Sequence, residues 1–424
     1  MKLKQLLKTL NFFPEEETLK RLKKDSSNFK KLLEVEMKSK KIKGEIFIGG
    51  SFAKSTLVKK EIYDIDFFVR FEKTKENISE LLEKIIKDIS NKNNFQYNKI
   101  HGSRDYFRIS YSKNYFFEIV PVLKIKRQKE AENVTDLSYF HVKYLKKKLS
   151  SKNLINEILI AKQFCMAQGI YGAESYINGF SGYGLECLII YYRTFEKMAK
   201  ELSKSKEKIV IDIEKKYKNK NEILICLNQS KLQGPIVLID PTYKERNVLA
   251  ALSNESFQKF QESLKNLIKI PNESFFRDKK IKESEVSSLA KKLSGEFLNI
   301  TIYTDKQKGD IAGTKLRKFS KFLASEISKR FTILKEYFIY NEEQKADVYF
   351  IIKPKKEIIR QGPKVSMKKH VSAFKKKNKK TFIKNNIIYA KIENNIPGKE
   401  YLSNFHKSRE QLLREMGISN MFLF

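Results

Sequence analysis

Apolar and polar residues follow different periods along this chain, and these periods predict the elements of its first third. Residues 1–43 are rich in Lys and Glu, with Leu and Phe at helical spacing, which predicts helices. The stretch Glu45–Phe71, EIFIGGSFAKSTLVKKEIYDIDFFVRF, predicts a strand, a turn of small residues and a second strand. A helix is predicted next, near Ile78–Ser90.

Two further strands are predicted at Tyr106–Ser112 and Tyr115–Leu123, with a hairpin turn between them. The second strand reads YFFEIVPVL, so Glu118 is an acid inside an otherwise apolar run. An acid in such a run is costly to bury unless it is paired or bound to a metal ion. The alternative is an edge-strand glutamate that faces water, and the sequence alone leaves both readings open.

Residues 150–192 have a helical pattern. The stretch NLINEILIAKQFCMAQG predicts a helix capped by Ser151 or Asn153 and ended at Gly169. Lys162 lies within the apolar stripe of this helix, where a lysine either extends its ammonium group to solvent or reaches a buried phosphate. Tyr171 follows the end of the helix, so its ring can turn back toward the same helix.

The next segments predict a second apolar helix and a short buried strand. Residues 179–192, GFSGYGLECLIIYY, indicate a tight turn that leads into the helix. The charged stretch Lys197–Asn221 predicts an exposed insertion. Ile236–Leu252 predicts a buried strand ended by a turn at Asp240, and then a helix with Arg246 near its start.

The last third mixes strand-like and helical stretches. The strand-like ones are Phe297–Tyr303, Asp347–Ile352 and Ile387–Ile392, and the helical ones are Thr314–Arg330 and Glu400–Met416. The chain as a whole is therefore predicted to be α+β. We divide it into a strand-rich head (1–145), a helical middle domain or neck (146–265), and a mixed α+β body with a basic tail (266–424).

Charge adds information that periodicity does not. The 424 residues carry 86 Lys and Arg against 50 Asp and Glu, a formal net charge of +36. An AT-rich genome would enrich Lys, but it does not explain why acids fail to balance it. Between Lys353 and Lys384 there are thirteen basic residues and one acid, Glu357, which gives that segment a charge of +12. Such a surplus indicates a polyanionic partner, because the charges otherwise repel one another.

Cysteine and histidine usage points away from disulfides and zinc. The three cysteines, Cys165, Cys187 and Cys226, lie far apart, and the odd count favours a reducing compartment. The four histidines are too scattered for a zinc site. The N-terminus predicts a short amphipathic helix instead of a signal peptide, and no apolar run has the length of a membrane span. We therefore expect a cytoplasmic protein without a membrane partner.

The candidate chemistry lies in the second strand. Asp64 and Asp66 are two residues apart, so strand geometry places both carboxylates on the same face. Two carboxylates aimed at one point repel each other unless a cation lies between them, and Mg²⁺ prefers such oxygen ligands. The upstream turn Gly49-Gly50-Ser51 offers backbone N–H groups and a hydroxyl to a phosphate. A solvated polar face is the ordinary alternative for a lone D-x-D.

This turn-and-carboxylate pattern resembles the signature of the polymerase-β-like nucleotidyltransferases. Further blocks resemble the archaeal-type (class I) CCA-adding enzymes, the tRNA nucleotidyltransferases. They are FEIVPVLKI, LSYFHVKYL, ILIAKQFCMAQGIYGAESYINGFSGYGLECLII and VLIDPTYKERNVLAALS. With GGSFAKST…DIDFFVRF before them, the resemblance runs in order through most of residues 40–255. The IYGAE…GFSGY block is the most family-specific, because poly(A) polymerases share only the general transferase motif.

The resemblance implies the roles of individual residues. Asp64, Asp66 and Glu118 would hold the metal ions, with Mg²⁺ as the cofactor, although the family usually has an aspartate at the position of Glu118. The nucleotide-binding residues would be Gly50, Ser51, Lys54, His141, Lys162, Tyr171 and Arg246. Among these, Arg246 is the candidate for reading the incoming base.

The implied reaction is template-independent addition of C, C and A to the 3′ end of tRNA from CTP and ATP by two-metal transfer. Two alternatives remain at this point: another RNA-terminal transferase such as a poly(A) polymerase, or a tRNA-binding protein with a transferase fold that has lost its catalytic activity. The expected partners are the acceptor stem and elbow of tRNA, with the basic tail on the RNA backbone. The oligomeric state is left open, with a homodimer among the alternatives.

Overall fold

The computed structural model describes residues 2–102, 104–149, 151–278 and 281–424. The chain divides into two units, residues 1–279 and 280–424. The finer division into head, neck and body stays a prediction. None of the helices in the described ranges combines the length and apolarity needed to cross a lipid bilayer.

The first unit starts with helices, continues with a sheet and ends in a helical region. Its helices are α1 (Leu3–Thr9), α2 (Glu16–Ser39), α3 (Gly50–Ala53), α4 (Ile78–Asn93), α5 (Ser138–Lys148), α6 (Lys152–Ala167), α7 (Gly182–Tyr192), α8 (Phe195–Leu202), α9 (Lys220–Cys226) and α10 (Asn254–Lys269). Its strands are β1 (Gly44–Ile48), β2 (Tyr63–Phe71), β3 (Gln96–Ile100), β4 (Tyr106–Ser112), β5 (Tyr115–Leu123), β6 (Ile209–Ile211) and β7 (Ile236–Leu238).

A five-stranded sheet with the order β1-β2-β5-β4-β3 positions the candidate site. β2 and β5 are parallel, and the other neighbouring strands are antiparallel. One face of β2 is fully buried, since Ile65 and Phe67 have no exposed surface. Phe29 of α2 covers this face, with its ring centroid 5.2 Å from that of Phe67 and 4.8 Å from that of Phe117. The opposite face of the strands is left for Asp64 and its polar neighbours.

The predicted strands β1, β2, β4 and β5 and the helix α4 are confirmed. The edge strand β3 was not predicted, because its sequence QYNKI is polar and only partly buried. The helix α6 begins after Ser151, whose side chain accepts a hydrogen bond from the backbone N–H of Leu154. It ends before Gly169, which has a φ of +63° that glycine adopts without strain.

Two predictions for the middle of the chain are wrong. Lys197–Asn221 is not simply an exposed insertion: α8 buries Met198 and Leu202, and β6 pairs in parallel with β7. No helix begins near Arg246, because α10 starts only at Asn254. The amide side chain of Asn247 holds the intervening loop in its non-helical form.

The Asn247 side chain makes four hydrogen bonds with the backbone. Its Oδ1 accepts from the N–H groups of Leu238 and Leu249, both at 2.9 Å. Its Nδ2 donates to the carbonyl oxygens of Lys231 and Ile236, at 2.8 and 3.2 Å. Only the contact to Leu249 lies within the predicted helix; the other three tie the loop to the backbone of β7 and of Lys231, so the apolar run stays irregular.

The second unit is α+β, as predicted. Its helices are α11 (Glu283–Lys292), α12 (Asp310–Ser328), α13 (Lys368–Lys377), α14 (Gly398–Ser408) and α15 (Glu410–Glu415). Its strands are β8 (Glu296–Tyr303), β9 (Phe331–Tyr340), β10 (Lys345–Pro354), β11 (Glu357–Lys364), β12 (Lys380–Lys384), β13 (Ile387–Glu393) and β14 (Asn420–Leu423).

These strands form two sheets, with the orders β14-β8-β10-β9 and β11-β13-β12. The predicted strands β8, β10 and β13 and the helix α12 are confirmed. The single helix predicted at Glu400–Met416 is interrupted at Arg409 and forms α14 and α15. The basic segment Lys353–Lys384 covers β11, α13 and β12, and α13 has no buried residue. The lysines of that helix therefore face solvent.

Candidate active site

Asp66 and Glu118 stand opposite each other on the parallel strands β2 and β5. The register pairs Asp66 directly with Glu118, and Asp64 with Phe116. Asp64, Asp66 and Glu118 are each partly exposed, whereas the alternate residues Ile65 and Ile119 are fully buried. The three acids therefore share the face of the sheet that the core does not occupy.

These carboxylates influence one another. Burial and the negative charges of Glu118 and Asp64 together raise the pKa of Asp66 to about 7, against the opposing effect of Lys54 and Lys60. A carboxylate with such a pKa is short of positive charge. A bound cation at this place would remove the repulsion.

Cationic side chains of the protein pair with Asp64 and Glu118. Lys60 forms an ion pair with Asp64. Arg108 donates to Oε1 of Glu118 from Nη2 at 2.8 Å and from Nε at 3.2 Å. Within the described ranges, no three Asp, Glu, His or Cys side chains are gathered closely enough to enclose a metal ion. The metal-binding roles of Asp64, Asp66 and Glu118 thus stay predictions, while their shared face and oxygen atoms suit a hard divalent cation.

The Gly-Gly-Ser turn lies against Asp66. The N–H of Gly49 donates to the carbonyl oxygen of Asp66 at 2.8 Å. Gly50 has a φ of +60°, and a Cβ there would lie 1.6 Å from Oδ2 of Asp66, so only glycine fits. Ser51 follows in the single-turn helix α3, half-buried. The predicted phosphate-binding turn and the carboxylates therefore belong to one site.

Lys54 and Lys162 meet at a buried acid that the sequence analysis did not single out. Glu186 of α7 accepts from Nζ of Lys162 at 2.8 Å and from Nζ of Lys54 at 2.7 Å. The hydroxyl of Thr56 donates to the same carboxylate at 2.5 Å, and Lys162 also donates to the carbonyl and hydroxyl oxygens of Thr56, both at 3.0 Å. Two predicted nucleotide-binding lysines thus converge from distant parts of the chain.

The electrostatics of this cluster follow from its burial. Burial lowers the pKa of Lys162 to about 8, although Glu186 acts in the opposite direction. Burial also tends to raise the pKa of Glu186, but Lys162 and Lys54 overcome this effect and hold it at about 2. Asp64 is among the charges that act on Lys162, so the cluster borders the carboxylate face.

Tyr171 closes the other side of the cluster. Its backbone pairs with Phe180 in a parallel bridge, which brings the IYGAE and GFSGY segments together. Its hydroxyl oxygen lies 2.7 Å from where a Cβ on Gly182 would stand, and Cε of Lys162 lies 3.8 Å from the same point. The ring has turned back toward α6, as the sequence analysis expected.

His141 and Arg246 are joined through a second buried acid, Asp240. Nε2 of His141 is 2.9 Å from Oδ2 of Asp240, and Nη1 of Arg246 donates to the same oxygen at 2.8 Å. The Tyr183 hydroxyl donates to Oδ1 at 3.2 Å, and its ring stacks on His141 with centroids 4.0 Å apart. Burial lowers the pKa of His141 despite Asp240, and the pKa of Asp240 itself is held well below its ordinary range, because His141 and Arg246 outweigh its burial.

Two functional candidates, Glu186 and Asp240, were therefore missed from the sequence. Glu186 is an acid inside the apolar helix GLECLII, the same signal that singled out Glu118. Asp240 was interpreted only as a turn residue, and nothing local to it indicates that His141 and Arg246 would converge on its carboxylate.

Two family models match the first unit. Residues 1–139 match the Second Messenger Oligonucleotide or Dinucleotide Synthetase domain. Residues 156–277 match the second domain of tRNA nucleotidyltransferase. The matched ranges include the candidate site residues described above except His141, which lies between the two ranges.

Curated relatives extend the match over most of the chain. The CCA-adding enzyme of Nanoarchaeum equitans is 37% identical over 287 residues, which are 67% of each protein. That of Saccharolobus islandicus is 32% identical, over 70% of this chain and 67% of the relative. That of Methanocaldococcus jannaschii is 29% identical, over 82% of this chain and 78% of the relative.

A solved structure of Cid1 in complex with the UTP analogue UMPNPP is similar in fold. It has a TM-score of 0.50 and 12% identity, and the match covers 65% of this chain and 99% of that one. This similarity supports a nucleotidyltransferase fold for the matched part of the chain. On the strength of its identity to the archaeal relatives, the chain belongs to the archaeal-type CCA-adding enzymes, the tRNA nucleotidyltransferases.

Proposed function

We propose that this protein adds C, C and A in turn to the 3′ end of tRNA, with CTP and ATP as nucleotide donors and without a nucleic-acid template. The observation that carries the proposal is the opposed pair Asp66–Glu118 beside the Gly50 turn, in a chain 37% identical to a CCA-adding enzyme. In this reaction the 3′-hydroxyl of the RNA loses its proton to solvent and its oxygen bonds to the α-phosphorus, while the bond from the α-phosphorus to the α–β bridging oxygen breaks and releases pyrophosphate.

The carboxylate face would hold the reacting groups in place. Asp64, Asp66 and Glu118 supply the oxygen ligands, and Mg²⁺ bound there would activate the 3′-hydroxyl and neutralise the leaving pyrophosphate. The residues fit such an ion, because Asp66 is short of positive charge and the other two acids already attract cationic side chains. The main task of the sheet is to set the three carboxylates at fixed spacing.

The triphosphate would lie between the glycine turn and the lysine cluster. Ser51 and the N–H groups of the turn donate from one side, and Lys54 and Lys162 supply positive charge from the other. Tyr171 lies beside Lys162, where it can pack against the sugar. No nucleophilic serine or cysteine is needed, since the RNA hydroxyl itself attacks.

Base selection would involve Arg246, whose guanidinium is fixed by Asp240 and carries several N–H donors suited to a base edge. His141 shares the same carboxylate and would act beside Arg246, on the sugar and triphosphate. In the second unit, the lysines of α13 would contact the phosphates of the tRNA backbone. Such contacts do not read the sequence, because the base edges of duplex RNA are not accessible to side chains.

A direct experiment tests the proposed function. The protein is incubated with Mg²⁺ and tRNA transcripts that end before the CCA, with CTP, ATP or both, and the 3′ ends are sequenced. We expect two C residues with CTP alone and a complete CCA end with both nucleotides. Untemplated runs of A would instead indicate a poly(A) polymerase. Binding of tRNA without any nucleotide addition would indicate a transferase fold that has lost its catalytic activity.

A further inference from the structure

Glu186 is a fully buried carboxylate beside the candidate site, and the reaction described above gives it no role. It has no exposed surface. Its two oxygens have different partners. Oε1 accepts hydrogen bonds from Lys162 and Thr56, and Oε2 accepts one from Lys54. The carboxylate therefore sets the two ammonium groups at a fixed separation.

The three charges of this cluster do not cancel. Within the cluster itself, two ammonium groups and one carboxylate leave a surplus of one positive charge, which attracts anions: Asp64 and Asp66 already interact with its lysines from the neighbouring face. The side chain of Lys54 is 9% exposed, whereas that of Lys162 is 2% exposed. The surplus charge is therefore accessible on the side of Lys54.

The number of hydrogen-bond donors on each lysine also indicates that Lys54 is the one that meets the anion. An ammonium group has three N–H donors. Lys162 uses three contacts, to Glu186 and to two oxygens of Thr56. Lys54 has Glu186 as its acceptor within the described part of the chain, which leaves donors for an incoming phosphate. Lys54 is thus the ammonium group that can meet a triphosphate without breaking contacts.

We infer that Glu186 is a positioning residue for the nucleoside triphosphate: its carboxylate, anchored by Lys162 and Thr56, holds Lys54 toward the phosphates. This inference rests on the proposed function. Its physical basis is that a lysine has four rotatable side-chain bonds, so fixing its ammonium group at a phosphate costs conformational entropy. Because Glu186 already holds Lys54 in place, less of that entropy is lost when the nucleotide binds.

A purely structural role is the alternative, because Glu186 also links α6 and α7 to the segment after α3. The chain contains a matched control. Glu36 of α2 is 4% exposed and pairs with Lys92 at 2.6 Å and Lys40 at 3.6 Å. Replacing Glu36 by Gln removes a carboxylate with two lysine partners that lies outside the site.

The test measures the KM and kcat for CTP, the dissociation constant for tRNA and the melting temperature of the wild-type protein, Glu186→Gln and Glu36→Gln. We expect Glu186→Gln to raise the KM for CTP by about tenfold, the loss of one charge-assisted hydrogen bond, with little change in tRNA affinity. Glu36→Gln should lower the melting temperature and leave the KM unchanged.

Other results would overturn the inference. If Glu186 only reduced the positive charge of the site, Glu186→Gln would lower the KM, because the surplus rises from one charge to two. An unchanged KM would make the residue structural. If Glu186→Gln fails to fold, Glu186→Asp keeps the charge but shortens the side chain, and it should still raise the KM. A wild-type protein that adds no nucleotide would contradict the proposed function itself, whatever Glu186 does.

Discussion

Asp66 and Glu118 occupy directly opposed positions on two parallel strands, with Arg108 bound to Glu118 across the adjacent hairpin. The opposition places two carboxylates on one face, and their repulsion contributes to the raised pKa of Asp66. The arrangement also means that a divalent ion must compete with Arg108 for Glu118.

This competition predicts the effect of Arg108→Gln on metal dependence. The Arg108–Glu118 pair is partly exposed, so breaking it costs Mg²⁺ binding about 1 kcal/mol. Without this competition, the half-saturating Mg²⁺ concentration should be about fivefold lower. A titration of nucleotide incorporation against Mg²⁺ measures the shift. Arg317→Gln, which removes a similarly exposed pair with Glu336, is the control and should leave the titration unchanged. A higher Mg²⁺ requirement for Arg108→Gln would contradict the prediction.

Arg246→Ala should weaken the choice between CTP and ATP more than it slows the reaction. A guanidinium held by Asp240 can offer oriented donors to a base edge, and losing them should reduce discrimination about tenfold. The ratio of kcat/KM for CTP and ATP on a tRNA that ends before the first C measures this preference. An unchanged ratio would remove Arg246 from base selection.

Glu186 also predicts a pH dependence of stability. Its folded pKa of about 2 lies below its ordinary value of 4.5, so its stabilisation is fully present above pH 4.5 and is lost as the pH falls toward 2. At pH 7, Glu186→Gln should lower the free energy of unfolding by about 3–5 kcal/mol, because it leaves buried lysines unpaired. The difference from wild type should shrink below pH 4.5, as measured by denaturant unfolding. A difference that stays constant down to pH 3 would show that Glu186 is not the titrating group.

The basic segment predicts a salt effect on tRNA binding. If Lys375, Lys376 and Lys377 of α13 contact phosphates, replacing them with Gln should reduce the slope of log K against log salt by about 0.7–0.9 for each lost contact. Replacing Lys23, Lys24 and Lys31 of α2, which are also exposed, is the control of equal charge. Equal slopes for both triple variants would leave α13 as a solvated surface.

The sequence predicted the carboxylate strands well because their signals are local. Period-two alternation placed Asp64 and Asp66 on one face and Ile65 on the other, and the burial pattern agrees. The direct opposition of Asp66 and Glu118 could not be predicted in this way. It depends on the parallel pairing of strands more than forty residues apart, which no local pattern encodes.

The errors in the middle of the chain have a common cause, which is that distant partners outweigh local pattern. The apolar run after Asp240 favours a helix, but the side chain of Asn247 bonds to the backbone of Leu238 and Lys231, outside that run, and so ties the loop to β7. Glu186 was missed for a similar reason. Its partners Lys54 and Lys162 come from separate segments, so the apolar context of the acid was visible while its role was not.

The most direct measurement is single-turnover incorporation of CMP by Asp66→Ala, with the tRNA dissociation constant measured in parallel. We predict that incorporation falls by a factor of at least about 1000, the loss of several kcal/mol of transition-state stabilisation, while tRNA affinity stays within a few-fold. Asp347→Ala, which removes a strand carboxylate from the second unit, should retain incorporation. Incorporation by Asp66→Ala at the wild-type rate would contradict the assignment of chemistry to the face that Asp66 shares with Glu118.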